Sequence, residues 1–284
     1  MSLSRTLQRL AAVGRWPRTP WAIPMSNTLA SIWASFNART YLQEYYGDVG
    51  PENLAYLQFF ARQFAALSPQ ATLLDFGSGP TIYSVISAVP KVERIVLSDY
   101  LAANREELTL WQRNDPQSFD WTPFVEAALA AEGLAPTPAA IAQRVAELQQ
   151  KIVAIRFCDA ALNQPLPGWA EPFDVLVSNS CADAATNDRT VWQQYLNNIL
   201  TCLKPGGTLI LSAVKGADFG DVNEALSESN PDSQYFPTVN IAETELQAAL
   251  IAAGCATVAI ETVAADRPTR KYQGLMMATA RKAP

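Results

Sequence analysis

Histidine is absent from all 284 residues. That excludes Ser-His-Asp and Cys-His nucleophilic catalysis, imidazole acid/base chemistry and His-ligated zinc, and leaves proton transfer to carboxylates, tyrosine, lysine or cysteine. Cysteine is scarce and scattered. Cys158, Cys181, Cys202 and Cys255 form no CxxC pair, so neither a zinc ribbon nor a disulfide framework is indicated. No metal site is read, and a reduced, cytoplasmic setting is expected. Positive charge is short as well: the net charge is −6 and the isoelectric point near 4.8, which disfavours nucleic acid as a partner. No apolar run suits a membrane span. The uncharged stretch Thr19 to Ala38 is broken by Pro20, Pro24, Ser26, Asn27, Thr28, Ser31, Ser35 and Asn37, so no membrane partner is expected.

What is present is a globular composition, 49% hydrophobic with seven Trp, nine Tyr and eleven Phe. A chain of this length suits one large α/β domain or two smaller ones, and buries about three quarters of its unfolded surface. Charge is uneven. Residues 1–40 hold Arg5, Arg9, Arg15, Arg18 and Arg39 and none of the 27 acids. Residues 1–26 are therefore read as a basic, flexible arm, although the same composition also describes an organelle transit peptide.

Along the remainder, Asn27 is placed to cap a helix reaching Trp33, with further helices over Thr40–Tyr46 and Pro51–Ala66. In the last, Leu54, Leu57, Phe60, Ala61 and Phe64 recur at helical spacing. Seven short apolar runs then alternate with helical stretches: 72–76, 94–98, 153–157, 173–178, 208–214, 256–264 and 275–280. Alternation of this kind predicts an α/β fold, a mostly parallel sheet with helices on both faces. Only about ten residues separate the last two runs, too few for a helical crossover, so one strand in the edge region is expected to run antiparallel. A helix over 188–203 is expected to end at Lys204-Pro205-Gly206-Gly207. Two insertions interrupt the alternation, near 110–150 and 215–240. From Asp218 to Glu245 the second carries seven acids and no base.

In an open α/β sheet, ligands sit at the carboxyl ends of strands where the order reverses. The first such turn is Asp75-Phe76-Gly77-Ser78-Gly79-Pro80-Thr81-Ile82-Tyr83. Gly77 and Gly79 allow close backbone approach, and a following helix N-terminus would offer free N–H groups; an ordinary tight turn has the same glycines. Ile82 stands where a dinucleotide fingerprint needs its third glycine, so no pyrophosphate site is indicated. Asp99, 22 residues after Gly77, matches an acid that bonds ribose hydroxyls, and is equally what a strand end or N-cap provides. Together the two features suit an adenosine-containing ligand such as S-adenosylmethionine. Asp159 closes the third run, placed for an adenine amino group or for an Asx turn.

Several segments resemble the small-amine N-methyltransferases, the nicotinamide, phenylethanolamine and indolethylamine group. They are Phe36-Asn37-Ala38-Arg39-Thr40-Tyr41-Leu42-Gln43-Glu44-Tyr45-Tyr46, Gly77 through Tyr83, Ser98-Asp99-Tyr100, Phe119-Asp120-Trp121, Cys181-Ala182-Asp183-Ala184 and Leu203-Lys204-Pro205-Gly206-Gly207. The match spans about Phe36 to Lys282. The resemblance implies a Rossmann-like class I methyltransferase domain over 27–284, with residues 27–66 a helical lid, 67–284 the core, and S-adenosylmethionine as cofactor. It further implies that Tyr41 and Tyr46 close over the cofactor and that Gly77, Ser78, Gly79, Thr81 and Tyr83 hold its methionine end. Asp99, Tyr100 and Asn104 then lie at the ribose, Asp159 and Ala160 at the adenine, and Asn179 reaches in from the fourth strand. Tyr41 and Tyr45, one helical turn apart, also read as plain core contacts. A sulfonium cation gives aromatic rings a reason to be near it.

Methyl transfer from a sulfonium needs a lone pair held in line with the methyl carbon, and an aliphatic amine must first lose a proton. A carboxylate can bind and orient the ammonium and take that proton. Asp183, after the fourth strand, is the candidate, with a helix N-cap as its alternative role; Phe219 and Tyr45 are expected beside it at the acceptor. The acidic stretch 218–245 reads as a solvated flap or as a field that draws in a cationic acceptor. Near the last strand Asp266 is the only acid in a segment continuing Arg267-Pro268-Thr269-Arg270-Lys271. That departs from relatives that take aryl-ethylamines, and it leaves Arg270 or Lys271 to meet an anionic part of the acceptor or solvent. The expected protein is a monomeric enzyme, an S-adenosylmethionine-dependent N-methyltransferase of a small-molecule amine. Transfer to oxygen or sulfur, a nicotinamide-dependent oxidoreductase and a cofactor-binding regulator are the competing classes.

Overall fold

A computed structural model describes Trp33 and residues 36–216, 237–266 and 272–284. The basic arm 1–26 and the proposed Asn27 cap lie outside the described residues. So do Phe219, the acids from Asp218 to Asp232, and 267–271.

Two helices precede the sheet. Helix α1, Ala38–Tyr46, starts where the Asn37 side chain accepts from the Thr40 N–H at 3.0 Å, and it buries Ala38, Leu42 and Tyr46 at four-residue intervals. Helix α2, Gly50–Ala65, has Pro51 in its first turn and buries Tyr56, Leu57, Phe60, Ala61 and Phe64. Leu54, expected on that buried stripe, is 39% exposed; the stripe is completed by Phe59 and, unexpectedly, by Glu52.

The sheet has seven strands: β1 Ala71–Phe76, β2 Val92–Asp99, β3 Ile152–Phe157, β4 Phe173–Asn179, β5 Leu203–Lys215, β6 Cys255–Ala264 and β7 Gly274–Lys282. Their order is β3-β2-β1-β4-β5-β7-β6. All are parallel except β7, which runs antiparallel between β5 and β6, one place in from the edge. The chain's order reverses between β1 and β4, which pair through Leu73, Leu74 and Asp75. Alternation along β1 sends Leu73 into one hydrophobic layer, with α1, α2 and the 110–150 insertion, and Leu74 and Phe76 into the other.

Two local expectations differ. No α-helix follows the glycine turn: residues Tyr83–Ala88 form a short 3-10 helix, all of it buried. The helix before β5 is also shorter than 188–203. It is α6, Arg189–Leu200, capped by Asp188, which accepts from the Thr190 and Val191 N–H groups at 2.7 and 3.0 Å. Leu203 already pairs with Phe173, and Lys204–Gly207 is a bulge inside β5 with Gly206 at φ +73°.

The first insertion folds as α3, Ala102–Gln112, which continues from β2, then α4, Thr122–Ala131, and α5, Pro138–Lys151. Arg144 on α5 is buried, bridges both Glu132 oxygens at 2.6 and 2.7 Å and donates to the Ile86 carbonyl at 3.2 Å, tying the insertion to the 3-10 helix. The second ends in α7, Glu243–Ala252. Among the described residues no helix is long and apolar enough to cross a membrane.

Removing one member of a buried ion pair leaves an uncompensated charge, whereas exposed pairs contribute little. Glu132→Ala is therefore expected to destabilise the fold by about 3 kcal/mol in urea unfolding. Glu171→Ala, which breaks the exposed pair with Arg94, should change stability by about 0–1 kcal/mol. Equal losses would refute the assignment.

Candidate cofactor and acceptor site

The glycine turn lies at the carboxyl ends of β1, β2 and β4, the switch point of the sheet. Gly77 and Gly79 have φ of +74° and +63°. A Cβ on Gly77 would lie 2.1 Å from Cys181 Sγ, so space as well as conformation demands glycine there; at Gly79 the nearest atom, Thr81 Cγ2, is 3.9 Å away. The Gly77 and Ser78 N–H groups both donate to the Ser98 carbonyl, at 2.9 and 2.8 Å. Ser78 Oγ donates to the Asp75 carbonyl at 3.0 Å and Thr81 Oγ1 to the Ser78 carbonyl at 2.7 Å.

Asp99, buried at the end of β2, holds the turn from the other side. Its Oδ2 accepts from the Gly79 N–H at 2.9 Å, and its Oδ1 from the Leu101 N–H at 2.8 Å and Asn104 Nδ2 at 3.0 Å. Burial raises its pKa against the lowering effect of these donors. Asn104 Oδ1 is buried and accepts from no group among the described residues. Arg105 donates to the Asp99 and Tyr100 carbonyls at 2.8 Å each, and its guanidinium lies 5.5 Å from the Phe157 ring centre. Tyr100 is 46% exposed with its ring against Phe157. Asp159 Oδ1 accepts from the Ala161 N–H at 2.9 Å, an Asx turn, while the Ala160 carbonyl accepts from Asn198 at 2.8 Å. The structure thus gathers Gly77, Ser78, Gly79, Asp99, Tyr100, Asn104, Asp159 and Ala160 along the ends of β1, β2 and β3.

On the other side of the turn stand the aromatic residues. Tyr46 packs on Tyr83, Trp121 and Phe124 with ring centres 5.1, 5.5 and 5.8 Å apart, and Tyr41 on Tyr45 at 4.9 Å. Burial drives the Tyr41, Tyr46 and Tyr83 hydroxyls well above their ordinary pKa, and Tyr56 up to about 12. A chain of polar groups continues from Tyr83. Asn179 Nδ2 donates to the Tyr83 hydroxyl, Ser212 Oγ donates to Asn179 Oδ1, and Ser180 meets Ser212 Oγ through its N–H and Oγ, both at 3.1 Å. Tyr56 closes the chain on Ser180 at 3.5 Å. Ser180, at φ +46°, is held in the left-handed region. Ser180, Ser212 and Tyr56 were not legible as site residues; serines carry no pattern of their own.

Asp183, the candidate acid for the acceptor amine, follows β4. It is 1% exposed, and its Oδ2 accepts from the Val214 N–H at 2.8 Å while its carbonyl accepts from Val239 at 2.9 Å. The bond to Val214 ties this carboxylate to the end of β5. Burial lifts its pKa to about 6, and that of Asp75 to about 7. Asp75, behind the turn, accepts from Ser84 Oγ at 2.6 Å and keeps its Oδ1 without a partner among the described residues. Of the acidic stretch 218–245 the described residues include Glu243 and Glu245: Glu245 pairs with Arg189 and accepts from the Ala242 N–H, and Glu243 lies 3.9 Å from Lys215.

A family model described as the NNMT/PNMT/TEMT family matches residues 27–283. A phenylethanolamine N-methyltransferase of Bos taurus is 36% identical over 208 residues, covering 67% of this chain and 71% of the relative. A nicotinamide N-methyltransferase of Homo sapiens is 29% identical over 258 residues, covering 87% and 93%. Among solved structures, the N-methyltransferase NodS from Bradyrhizobium japonicum WM9, in complex with S-adenosyl-L-homocysteine, aligns with a TM-score of 0.51 at 14% identity over 91% of this chain and all of that one. It shares the fold.

Gly77→Ala should lower stability more than Gly79→Ala, since both incur left-handed strain of about 1 kcal/mol but only the first collides with Cys181. Chemical denaturation measures the difference. Asp75 and Asp183 bind protons more tightly folded than unfolded, so their contribution to stability should be fully present below about pH 4 and be lost as pH rises through about 6 and 7. Asp75→Asn should make that decline shallower; an unchanged pH slope would exclude Asp75 as its source.

Proposed function

Because the chain belongs to the NNMT/PNMT/TEMT family, whose members here are N-methyltransferases, we propose that it transfers the methyl group of S-adenosylmethionine to a small-molecule amine. The observation that carries this reading is the buried Asn104 Oδ1 beside Asp99, an unmet acceptor across from the glycine turn. A pair of ribose hydroxyls would suit it, held by Asn104 and Asp99, both of which keep acceptor capacity beyond their bonds within the chain. Asp159 and Ala160 would border the adenine, and Tyr100 would offer it a ring face. When bound, the cofactor supplies the electrophilic methyl group on a sulfonium. We assign residues 27–66 the role of lid, with Tyr41 and Tyr46 covering the methionine end beside Tyr83, and residues 27–284 that of one catalytic domain.

The chain's own residues bind, orient and exclude water. The neutral rings of Tyr41, Tyr46 and Tyr83 would line the cationic centre without adding charge, an arrangement favourable to a desolvated cation. Asn179 and Ser180 are half-buried at the ends of β4, where an acceptor bound over β4 and β5 would meet them. Orientation of a lone pair in line with the methyl carbon supplies much of the acceleration, and it needs no histidine. Asp183 acts by holding the β5 end carrying Ser212 in place.

Incubation with methyl-labelled cofactor and a panel of small amines, catechols and thiols tests the proposal: label should enter an amine. Asn104→Ala should abolish detectable binding of S-adenosylhomocysteine in calorimetry. Asp183→Asn, which keeps an oxygen for the Val214 N–H, should retain most turnover, whereas Asp183→Ala should lose about 100-fold through misplacement. Equal losses in the two would restore a charged role to Asp183.

A further inference from the structure

Glu52 is a buried carboxylate that the cofactor site does not use. It lies in the first turn of α2, yet its partners are more than two hundred residues away in sequence. Its Oε1 accepts from the Asp266 N–H at 3.0 Å and its Oε2 from the Tyr272 hydroxyl at 2.7 Å. Those residues follow β6 and precede β7. Because β7 is reversed, both stand at the same end of the sheet as the glycine turn. Gln273 donates to the Lys215 carbonyl at 2.9 Å, so the junction also abuts the end of β5. Tyr56, one turn beyond Glu52, reaches Ser180.

From this geometry we infer that Glu52 is a positioning residue for the acceptor half of the pocket, acting through Tyr272 and the Asp266 backbone. The reasoning is spatial. The nucleoside residues sit over β1, β2 and β3, on one flank of the switch point, while β5 and β7 lie on the opposite flank. Glu52 locks that second flank to the helix that presents Tyr56. A surface carboxylate would gain little from such bonds. A buried one with both oxygens engaged fixes direction, since charge-assisted hydrogen bonds are short and strong and leaving them unmade is costly. Arg62, farther along α2, pairs with Glu261 on β6, but that pair is exposed and contributes little.

The inference rests on the methyltransferase reading above, and its test separates the two. Glu52→Ala, Glu52→Gln and Tyr272→Phe are compared with the unaltered chain for acceptor KM and kcat at saturating cofactor, and for S-adenosylhomocysteine Kd by calorimetry. The acceptor is whichever amine becomes labelled. Glu52→Ala should raise acceptor KM about tenfold, with Tyr272→Phe showing a smaller rise in the same direction. Glu52→Gln, which keeps an oxygen and a polar partner for Tyr272, should recover most of the loss. The Kd for S-adenosylhomocysteine should stay within about twofold throughout, because the nucleoside flank is untouched. A Kd that weakens in parallel with KM would reduce Glu52 to general stability and overturn the inference. So would an unchanged acceptor KM in Tyr272→Phe, the variant that decides the matter if Glu52→Ala does not fold. Failure of the unaltered chain to bind S-adenosylhomocysteine would instead remove the cofactor reading itself.

Discussion

The close approach of the Gly77 backbone to Cys181 is the constraint from which the rest of the site follows. A hydrogen in place of a side chain lets the loop after β4 pack directly on the turn after β1. The same turn passes two N–H groups to Ser98 on β2 and one to Asp99. Three strand ends are thereby joined through a few backbone groups that sequence variation elsewhere does not disturb. The switch point of a parallel sheet makes a crevice in any protein of this class. Here the turn decides its shape, because it sets Asp99 on one side and presses Tyr83 against Tyr46 on the other.

Charge in the crevice is one-sided. Asp75, Asp99 and Asp183 are all buried, all raised by desolvation, and Asp75 and Asp99 repel one another. Arg105 is the cation that lowers Asp99, and its hydrogen bonds go to backbone carbonyls. A site in this condition favours a ligand that brings positive charge, since such a ligand relieves the carboxylates that burial penalises. A sulfonium cofactor with an ammonium group meets that need, so binding and folding stability are linked through the same groups.

The fold was legible because each strand is a short apolar run and the final spacing permits no crossover; β7 is reversed for that reason. What composition did not reveal were contacts between distant segments. Leu54 has the right period and still faces solvent, because the buried face of α2 is set by where the hairpin and the 3-10 helix meet it, and Glu52 fills the position instead. That Asp183 follows a strand is legible, but that its carboxylate bonds the backbone of β5, thirty-one residues on, is not. The segment after the glycine turn winds as a 3-10 helix over Tyr83–Ala88 instead of the α-helix the pattern suggests.

Burial of the tyrosines has a chemical consequence beyond packing. A phenolate next to an activated methyl group is itself a nucleophile and would compete with the acceptor. Desolvation holds Tyr41, Tyr46 and Tyr83 far above neutrality and Tyr56 near 12, so at physiological pH these oxygens are protonated and poorly nucleophilic. Cys181, whose sulfur touches the space above Gly77, is shifted upward by the same cause and remains a thiol, the unreactive form. The same desolvation that penalises charge on the buried carboxylates keeps the tyrosines and Cys181 in their protonated forms.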